Sequence, residues 1–440
     1  MSGGLSLKAL ITHNPAMATQ TPTARVIGAG VIGNLLEWYD FAIYGFFAAQ
    51  IGQAFFPAQD KVAQILSAFG IFAIGYVMRP LGGLVTGYIG DRFSRRAALT
   101  FSVSAMAIPT FLVGVLPGYQ TLGIMAPVLL TVLRVIQGLS VGGEYTTAMV
   151  FLVERAPPGR RGLMGAVCSC GADLGTLLGS ATGTALAASM SVAALADWGW
   201  RLPFLFGLIV GLVGLALRRG LEEMPAAVDS ELAMATAVRS EMPLLLRLAG
   251  LSVFLAVGYY LMFLYIVSWL QTADGIAPDH ALGINTVSIL VLLPVCLVAG
   301  WLSDQIGRRA VMLVAVAGAI VGAWPLFWLL HHSSTTAILA GQFGFVLIVG
   351  FYAGTLPAAL VEAVPHRVRC TVVALGYNVP LGIIGGLTPL AATWLVARTA
   401  DNLSPAYMIM ASAAVSMIAL LLVPETFRQR FQASAQPVAT

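Results

Sequence analysis

Charged side chains are scarce in this sequence. Only 10% of its 440 residues are Asp, Glu, Lys or Arg, whereas 58% are hydrophobic. An average soluble domain carries about 25% charged residues, so the composition excludes a soluble globular fold. Apolar runs of about 20 residues, the length that crosses a bilayer core, recur from Val26 to the region of Val423. The chain is therefore predicted to be a multi-pass membrane protein.

Cysteine and histidine are also rare, with four Cys and five His residues. The Cys lie in or beside apolar runs and the His in tails or loops, so neither a metal site nor a cofactor is expected. The sequence has no Gly-flanked Ser nucleophile, no His pair and no phosphate-cradling loop, which argues against an enzyme. The basic residues are spread along the chain, so no nucleic-acid partner is expected. The predicted partners are therefore the lipid bilayer and a small-molecule substrate.

The hydropathy pattern predicts an all-α protein with twelve transmembrane helices. A long polar stretch divides them into two bundles of six, at 26–219 and 244–424, with a linker at 220–243 and tails at 1–25 and 425–440. The predicted spans are 26–49, 61–89, 97–116, 121–153, 163–189, 201–219, 244–272, 280–302, 309–330, 336–363, 371–397 and 404–423.

The 23 Lys and Arg residues are distributed unevenly about these spans. If the spans alternate in direction, most of them fall on one side, and only Lys61, Arg201 and Arg398 fall on the other. This asymmetry is the positive-inside signature. It predicts that both termini are cytoplasmic in a bacterial inner membrane.

A loop motif occurs once in each half. It follows the second and the eighth predicted helices and combines Gly, Asp and paired Arg residues, and a second pair of acidic and basic residues recurs near Glu154 and Glu362. Such a loop can cap the next helix and anchor it at an anionic leaflet. The repeat predicts a duplicated half and a cytoplasmic gate formed by Asp91, Arg92, Arg95, Asp304 and Arg308.

Charges inside the apolar spans are the most informative residues, because each costs about 2.5–3.5 kcal/mol at a helix centre on insertion scales. In the first helix, Glu37 and Asp40 share one polar stripe with Asn34 and Tyr44. The second helix carries Arg79 in its apolar interior. Proton coupling is predicted for the two acids, the alternative being static ion pairs that fix packing.

The fourth predicted helix carries Arg134, Gln137, Glu144 and Tyr145, whose spacing places them on roughly one face. Arg134 and Glu144 are predicted to take part in proton coupling, with a static ion pair as the alternative for Glu144. For Asp173 in the fifth helix, a packing role is predicted.

The substrate is predicted to contact Arg79, Arg134, Gln137 and Tyr145 in the first half. In the second half, no predicted span has a charge at its centre. Tyr259, Tyr260 and Asn378 are the predicted ligand contacts there, since they can form hydrogen bonds or present an aromatic face. Gly382 and Gly386, four residues apart, predict a close-packing helix face.

Four motifs occur in an ordered series: Asn34-Leu-Leu-Glu37-Trp38-Tyr39-Asp40-Phe41, Met78-Arg79-Pro80, Arg134-Val-Ile-Gln137-Gly138 through Glu144-Tyr145, and Gly199-Trp200-Arg201-Leu-Pro203-Phe204. Together they resemble the metabolite:proton symporters of the major facilitator superfamily. The resemblance implies two six-helix bundles around a central cavity, alternating access, and transport of an organic acid or zwitterion with protons.

By the same resemblance, Asp40 and Arg134 match the proton-binding acid and its modulating base in sugar–proton symporters. Asp91 and Arg95 would lock the cytoplasmic end against the eleventh helix near Thr371. The chain departs from the pattern at Ser94, where glycine is usual, and at Gln305, where a basic residue is usual.

Members of this family carry proline and betaine, 2-oxoglutarate, citrate or shikimate, and several stretches here look most like the proline/betaine members. Because the two intramembrane arginines lie among acids, a zwitterion or monocarboxylate is favoured over a di- or tricarboxylate. The organic-anion symporter remains the main alternative, and a drug/proton exporter a more distant one. The resemblance implies uptake driven by the proton gradient without a cofactor, and a functional monomer is expected.

Overall fold

The computed structural model describes residues 24–57, 60–92, 95–141, 144–218 and 239–427, and within these ranges the chain is helical without strands. Its α-helices are α1 Ala24–Phe46, α2 Ala48–Phe55, α3 Lys61–Val77, α4 Arg79–Arg92, α5 Arg95–Val115, α6 Tyr119–Leu122, α7 Met125–Ser140, α8 Glu144–Glu154, α9 Arg161–Ser189, α10 Val192–Asp197, α11 Leu202–Arg218, α12 Met242–Tyr259, α13 Ile266–Ala273, α14 Pro278–Ile306, α15 Arg308–Leu330, α16 Thr335–Ala363, α17 Arg369–Val379, α18 Gly386–Thr399 and α19 Pro405–Leu422. Two 3₁₀ turns, Gly199–Arg201 and His366–Val368, and two π-helical segments, Tyr260–Tyr265 and Pro380–Gly385, complete them.

The predicted all-α membrane fold is confirmed. Among the described residues, nine helical segments are long and apolar enough to cross a membrane, and two shorter apolar helices accompany them. Each of the twelve predicted spans coincides with described helix over most of its length. The expected count of twelve transmembrane helices is consistent with this arrangement.

Several spans that were predicted as continuous helices are interrupted. The first is interrupted at Phe47 and the second at Met78, and the helix of the fourth ends at Ser140, before Val141, which has an extended backbone. The seventh and eleventh spans each contain a π-helical segment, at Tyr260–Tyr265 and Pro380–Gly385. The second of these begins at Pro380, which lacks the N–H that a regular α-helix uses. Segments of this kind occur frequently at functional sites.

The helices pack as two halves that meet along two seams. In the first seam, α9 of the first half lies against α14 and α16 of the second. In the second seam, α3 lies against α18 and the π-helical segment that precedes it. Most of the predicted linker, like most of the predicted tails, lies outside the described residues.

Candidate functional site

Two buried ion pairs lie side by side on α1. Glu37 pairs with Arg79 of α4, and Asp40 pairs with Arg134 of α7 at 3.1 Å. All four side chains are at most 7% exposed. Because Glu37 and Asp40 are three residues apart, they lie on the same side of α1. Four of the six charges that the sequence placed inside apolar spans are therefore brought together as two neutral pairs.

The Asp40 carboxylate is fully surrounded by donors. Gln137 Nε2 donates to both carboxylate oxygens at 2.9 Å, and the hydroxyl of Thr110 from α5 donates to Oδ1. Gln137 Oε1 in turn accepts from Arg134 Nη1 at 2.9 Å. Thr110 was not predicted from the sequence, since a single threonine in an apolar helix carries no distinguishing pattern. The network supplies the countercharge and the hydrogen bonds that oppose the cost of burying an ionised Asp40.

Aromatic faces support the two arginines. The Arg134 guanidinium lies 3.9 Å from the centre of the Tyr44 ring, and that of Arg79 lies 5.2 Å from the centre of the Tyr76 ring. Phe41 contacts both guanidinium groups, at 5.7 Å from Arg79 and 5.2 Å from Arg134. Cation–π contacts of this kind gain strength when water is excluded.

Glycines bring the backbones that carry the arginines together. A Cβ added at Gly138 of α7 would lie 2.1 Å from the carbonyl oxygen of Gly75 in α3, and one at Gly82 of α4 would lie 2.4 Å from the carbonyl oxygen of Val141. No larger residue fits at either position without moving backbone. This close approach lets α4 and α7 place both arginines against α1.

Six aromatic side chains meet between the two halves, and we call them the aromatic box. The Trp38 ring centre lies 5.4 Å from that of Tyr259 and 6.4 Å from that of Tyr260. Every ring is at most 5% exposed, so the box is closed in this structure. Its members are Trp38, Tyr76 and Tyr145 from the first half and Tyr259, Tyr260 and Tyr377 from the second.

The second seam forms one wall of the box. A Cβ added at Gly385 would lie 2.8 Å from Cε2 of Tyr260, and one at Gly386 would lie 2.4 Å from Cβ of Tyr76. Gly382, predicted to be a close-packing residue together with Gly386, approaches the carbonyl oxygen of Tyr76. The two π-helical segments therefore meet at the box, Tyr260 from one segment packing on Gly385 of the other.

Two buried donors next to the box lack a hydrogen-bond partner among the described residues. They are Trp38 Nε1 and Arg79 Nε. Unsatisfied buried donors are costly, and each calls for an explanation. Acceptors supplied by a ligand, such as carboxylate oxygens, would satisfy both.

The prediction that the polar residues of the fourth span share one helix face is wrong. Arg134 and Gln137 lie in α7 and reach Asp40, whereas Tyr145 lies in α8, beyond the break at Val141, and stacks on Tyr377 with ring centres 4.9 Å apart. Because the helix ends at Ser140 and Val141 is extended, the helical spacing does not continue from Arg134 and Gln137 to Tyr145. The side chain of Glu144 lies outside those described, and Asn378 is 8% exposed in α17.

A third charged cluster joins the halves at the end of the bundle that carries Arg161, Arg308 and Arg369, here called the Arg-rich end. Asp304 accepts hydrogen bonds from the backbone N–H groups of Gly162 at 2.8 Å and Leu163 at 2.9 Å. These N–H groups open α9 in the other half, so the carboxylate caps a helix across the seam.

This position corrects the expectation that Asp304 caps the helix following its own loop. That helix, α15, is capped by Glu425, which accepts from the N–H groups of Arg308 and Arg309. Arg308 pairs with Asp304 at 2.8 Å and with Glu362 at 3.0 Å.

Other members of the Arg-rich cluster were not predicted as gate residues. Arg369 pairs with Glu154 across the halves, and Arg161 lies 3.9 Å from Glu362. Glu154 and Glu362 belong to the repeated sequence motif, and that repetition was the available signal. The predicted gate residues Asp91, Arg92 and Arg95 have side chains outside those described, so the expected contact of Asp91 and Arg95 near Thr371 stays a prediction.

These features define a class of protein: a helical membrane carrier with a buried polar and aromatic site between two halves. Residues 30–379 match the Major Facilitator Superfamily. The chain is 34% identical to the proline/betaine transporter of Escherichia coli (strain K12) over 432 residues, covering 94% of this chain and 86% of that protein. It is 32% identical, over the same shares, to the glycine betaine/proline/ectoine/pipecolic acid transporter OusA of Dickeya dadantii (strain 3937).

Solved structures show the same fold. The proton:xylose symporter XylE bound to 6-bromo-6-deoxy-D-glucose superposes with a TM-score of 0.73 at 19% identity, covering 92% of this chain and 96% of that one. A partially occluded inward-open form of XylE from E. coli has a TM-score of 0.70 at 17% identity, covering 91% and 98%. The chain belongs to the Major Facilitator Superfamily. It is a transporter and a multi-pass membrane protein.

Proposed function

We propose that the protein is a proton symporter that takes up a small zwitterion, such as proline or glycine betaine, by alternating access between its two halves. The observation that carries this proposal is the aromatic box beside the Glu37–Arg79 pair. The names of the relatives in E. coli and D. dadantii support the same substrate class. Both halves of the site come from one chain, so a monomer suffices for function.

The box suits the cationic end of such a substrate. A quaternary ammonium has no N–H to donate, so it is bound by the faces of aromatic rings, and Trp is the strongest such ring. Trp38 is at the centre of three ring contacts, to Tyr145, Tyr259 and Tyr260. Since these rings come from both halves, a cation held among them stabilises the closed arrangement.

Hydrogen-bond donors for the carboxylate end of the substrate lie beside the box. Arg79 Nε and Trp38 Nε1 are both buried and without a partner among the described residues. Trp38 belongs to the box, and the Arg79 guanidinium lies 5.2 Å from the centre of the Tyr76 ring. A carboxylate that accepted from both donors would therefore lie beside the ring faces. The site therefore presents a cation-binding face and an anion-binding edge together, which matches a zwitterion.

Proton binding would take place at Asp40, with Glu37 as a second acceptor. Each acid is paired to one arginine, so protonation frees that arginine and changes the charge of the site. Glu37 and the substrate carboxylate compete for Arg79, which links proton binding to substrate binding. We place the Arg-rich end at the cytoplasmic face of the bacterial inner membrane, where its cluster closes the inner gate while substrate enters from outside.

An organic-anion symporter is the second candidate, because the same two arginines suit carboxylates. Their existing partners count against it: Arg79 and Arg134 are each neutralised by an acid within 4 Å. A di- or tricarboxylate would add two or three negative charges to a site of net charge near zero.

Thermal stabilisation of the purified protein separates these candidates. We expect proline and glycine betaine to raise the unfolding temperature, and 2-oxoglutarate, citrate and shikimate to leave it unchanged. Stabilisation by 2-oxoglutarate or citrate alone would instead indicate an organic-anion symporter.

Coupling is tested in proteoliposomes with Asp40→Asn. The variant should lose accumulation driven by a pH gradient yet retain exchange of labelled for unlabelled substrate, because the amide mimics the protonated acid and cannot bind or release a proton. Asp197→Asn is the matched control, since Asp197 is exposed in α10. Gradient-driven accumulation by Asp40→Asn at the wild-type level would exclude Asp40 as a coupling residue.

A further inference from the structure

Asp173 lies near the middle of α9, in the first seam between the halves. Its side chain is 3% exposed. The thiol of Cys296 in α14 contacts its carboxylate, with Sγ 3.8 Å from Oδ2. The sequence favoured a packing role for this residue, with a static ion pair as its basis.

The structure offers Asp173 no such pair. No Lys, Arg or His side chain of the described residues lies within 4 Å of it. By contrast, Glu37, Asp40 and Asp304 each have an arginine partner. Burial without a counter-ion disfavours the ionised carboxylate, and its uncharged neighbours, the Cys296 thiol and the Tyr259 hydroxyl, compensate less than an arginine would.

The groups that face Asp173 complete this picture. Tyr259 approaches from α12, and its hydroxyl donates to Thr176 Oγ1 at 3.0 Å, one turn along α9 from Asp173. Cys296 approaches from α14, and Cys170 is the other titratable neighbour on α9 itself. On the α1 side, α9 meets Leu35 and Trp38 through Gly175, and on the α16 side Ser169 donates to the carbonyl oxygen of Ala353. These contacts bring no positive charge to Asp173.

The seam on which Asp173 lies must separate if the two halves rock. Its polar contacts join helices of opposite halves: Ser180 to Asn285 at 3.2 Å, and Ser180 to Thr286 at 2.8 Å. When such a seam opens, water reaches the carboxylate and ionisation becomes inexpensive. When it closes, the carboxylate must be neutral. Closure and protonation of Asp173 are therefore linked by geometry.

We infer that Asp173 is a second proton-binding site of the transport cycle, which takes a proton from water when the seam opens on one side and returns it to water when the seam opens on the other. The proton adds to a carboxylate oxygen and leaves from it, with no other bond made or broken. This inference rests on the proposed proton symport. It gives the cycle a second proton-binding carboxylate besides Asp40, one that has no arginine partner among the described residues.

The first test measures protons carried per glycine betaine in proteoliposomes, with a trapped pH indicator and labelled substrate. Asp173→Asn keeps the neutral shape without the proton, so we expect betaine transport to continue with one proton fewer per molecule. An unchanged ratio would overturn the inference. Wild-type protein that carries betaine without any proton would instead refute the proposed symport, so the two failures are distinguishable.

A second test does not alter Asp173 and applies even if the asparagine variant fails to fold. Cys296→Ser replaces a weak donor by a stronger one and so favours the ionised carboxylate. We expect the pH of half-maximal uptake to fall by about one unit, the size of a charge-assisted hydrogen bond. Cys168→Ser is the matched control, because this buried thiol of α9 donates to the carbonyl oxygen of Tyr145 instead. Equal pH profiles for Cys296→Ser, Cys296→Ala and wild type would overturn the inference.

Discussion

The Asp304 carboxylate binds the first half to the second at the Arg-rich end, and Asp304→Asn tests how strongly. In the closed arrangement one carboxylate accepts from the N–H groups of Gly162 and Leu163 and from Arg308. An amide has a single acceptor oxygen, so its NH₂ group must face one of the two backbone donors. One charge-assisted hydrogen bond is lost, and the negative charge no longer faces the positive end of the α9 dipole.

The magnitude follows from these two losses. A hydrogen bond to a charged group contributes about 1.5–3 kcal/mol, and the charge at a helix N-terminus about 0.3–1 kcal/mol. The closed arrangement is thus weakened by about 2–4 kcal/mol relative to the open one, in which water solvates the carboxylate and the substituted amide adequately. Since about 1.4 kcal/mol is a factor of ten, the closed-to-open ratio should fall roughly 30- to 700-fold. Arg308 keeps Glu362 as a partner and does not become an unpaired buried charge.

Electron-spin distance measurement reports the ratio directly. Labels at the exposed positions Arg155 and His366 lie on opposite halves at this end. We expect the longer-distance population to rise in Asp304→Asn. Glu425→Gln is the matched control, since Glu425 caps a helix in the same manner but within the second half only. A distance distribution that shifts equally in both variants, or in neither, would refute the reasoning.

Three further changes test the site itself. Gly385→Ala places a Cβ 2.8 Å from the Tyr260 ring, so betaine affinity should fall at least about tenfold in thermal-shift titrations. Unchanged affinity would show that the π-helical segments do not contribute to betaine binding. Arg79→Lys keeps the charge but loses the fork geometry, and the half-saturating betaine concentration in counterflow should rise; an unchanged value would remove Arg79 from carboxylate binding. Thr110→Val deletes a donor to Asp40, which disfavours the ionised acid, so the pH of half-maximal uptake should rise, and a fall would contradict the network.

The membrane architecture was predictable because hydropathy reports length and burial together. Apolar length fixes where a helix can cross the bilayer, and each predicted span coincides with described helix over most of its length. The interruption at Tyr260–Tyr265 was not predictable from hydropathy, because its residues are as apolar as those of an uninterrupted helix. This interruption depends on contacts such as Gly385 on Tyr260, which link residues distant in sequence.

The charged part of the site was predictable for a related reason. Few ionisable groups occur within the spans, and burial favours pairs of opposite charge, so Glu37, Asp40, Arg79 and Arg134 pair among themselves. The aromatic part was not predictable to the same degree. Trp38, Tyr76 and Tyr377 look like ordinary packing residues in apolar helices, and only the meeting of the two halves shows that they face one another.

The position of Arg79 between Glu37 and the aromatic box gives a physical reason for coupling. The guanidinium carries one charge and is already neutralised by Glu37. A substrate carboxylate that binds Arg79 leaves two carboxylates around one cation, an excess negative charge in a buried site. A proton on Glu37, or one passed to Asp40 on the same face of α1, removes that excess. The substrate ammonium would be attracted by the quadrupoles of ring faces that carry no net charge. Under the proposed function, a proton on Glu37 would release Arg79 for the substrate carboxylate, and this competition for one guanidinium would link proton binding to substrate binding.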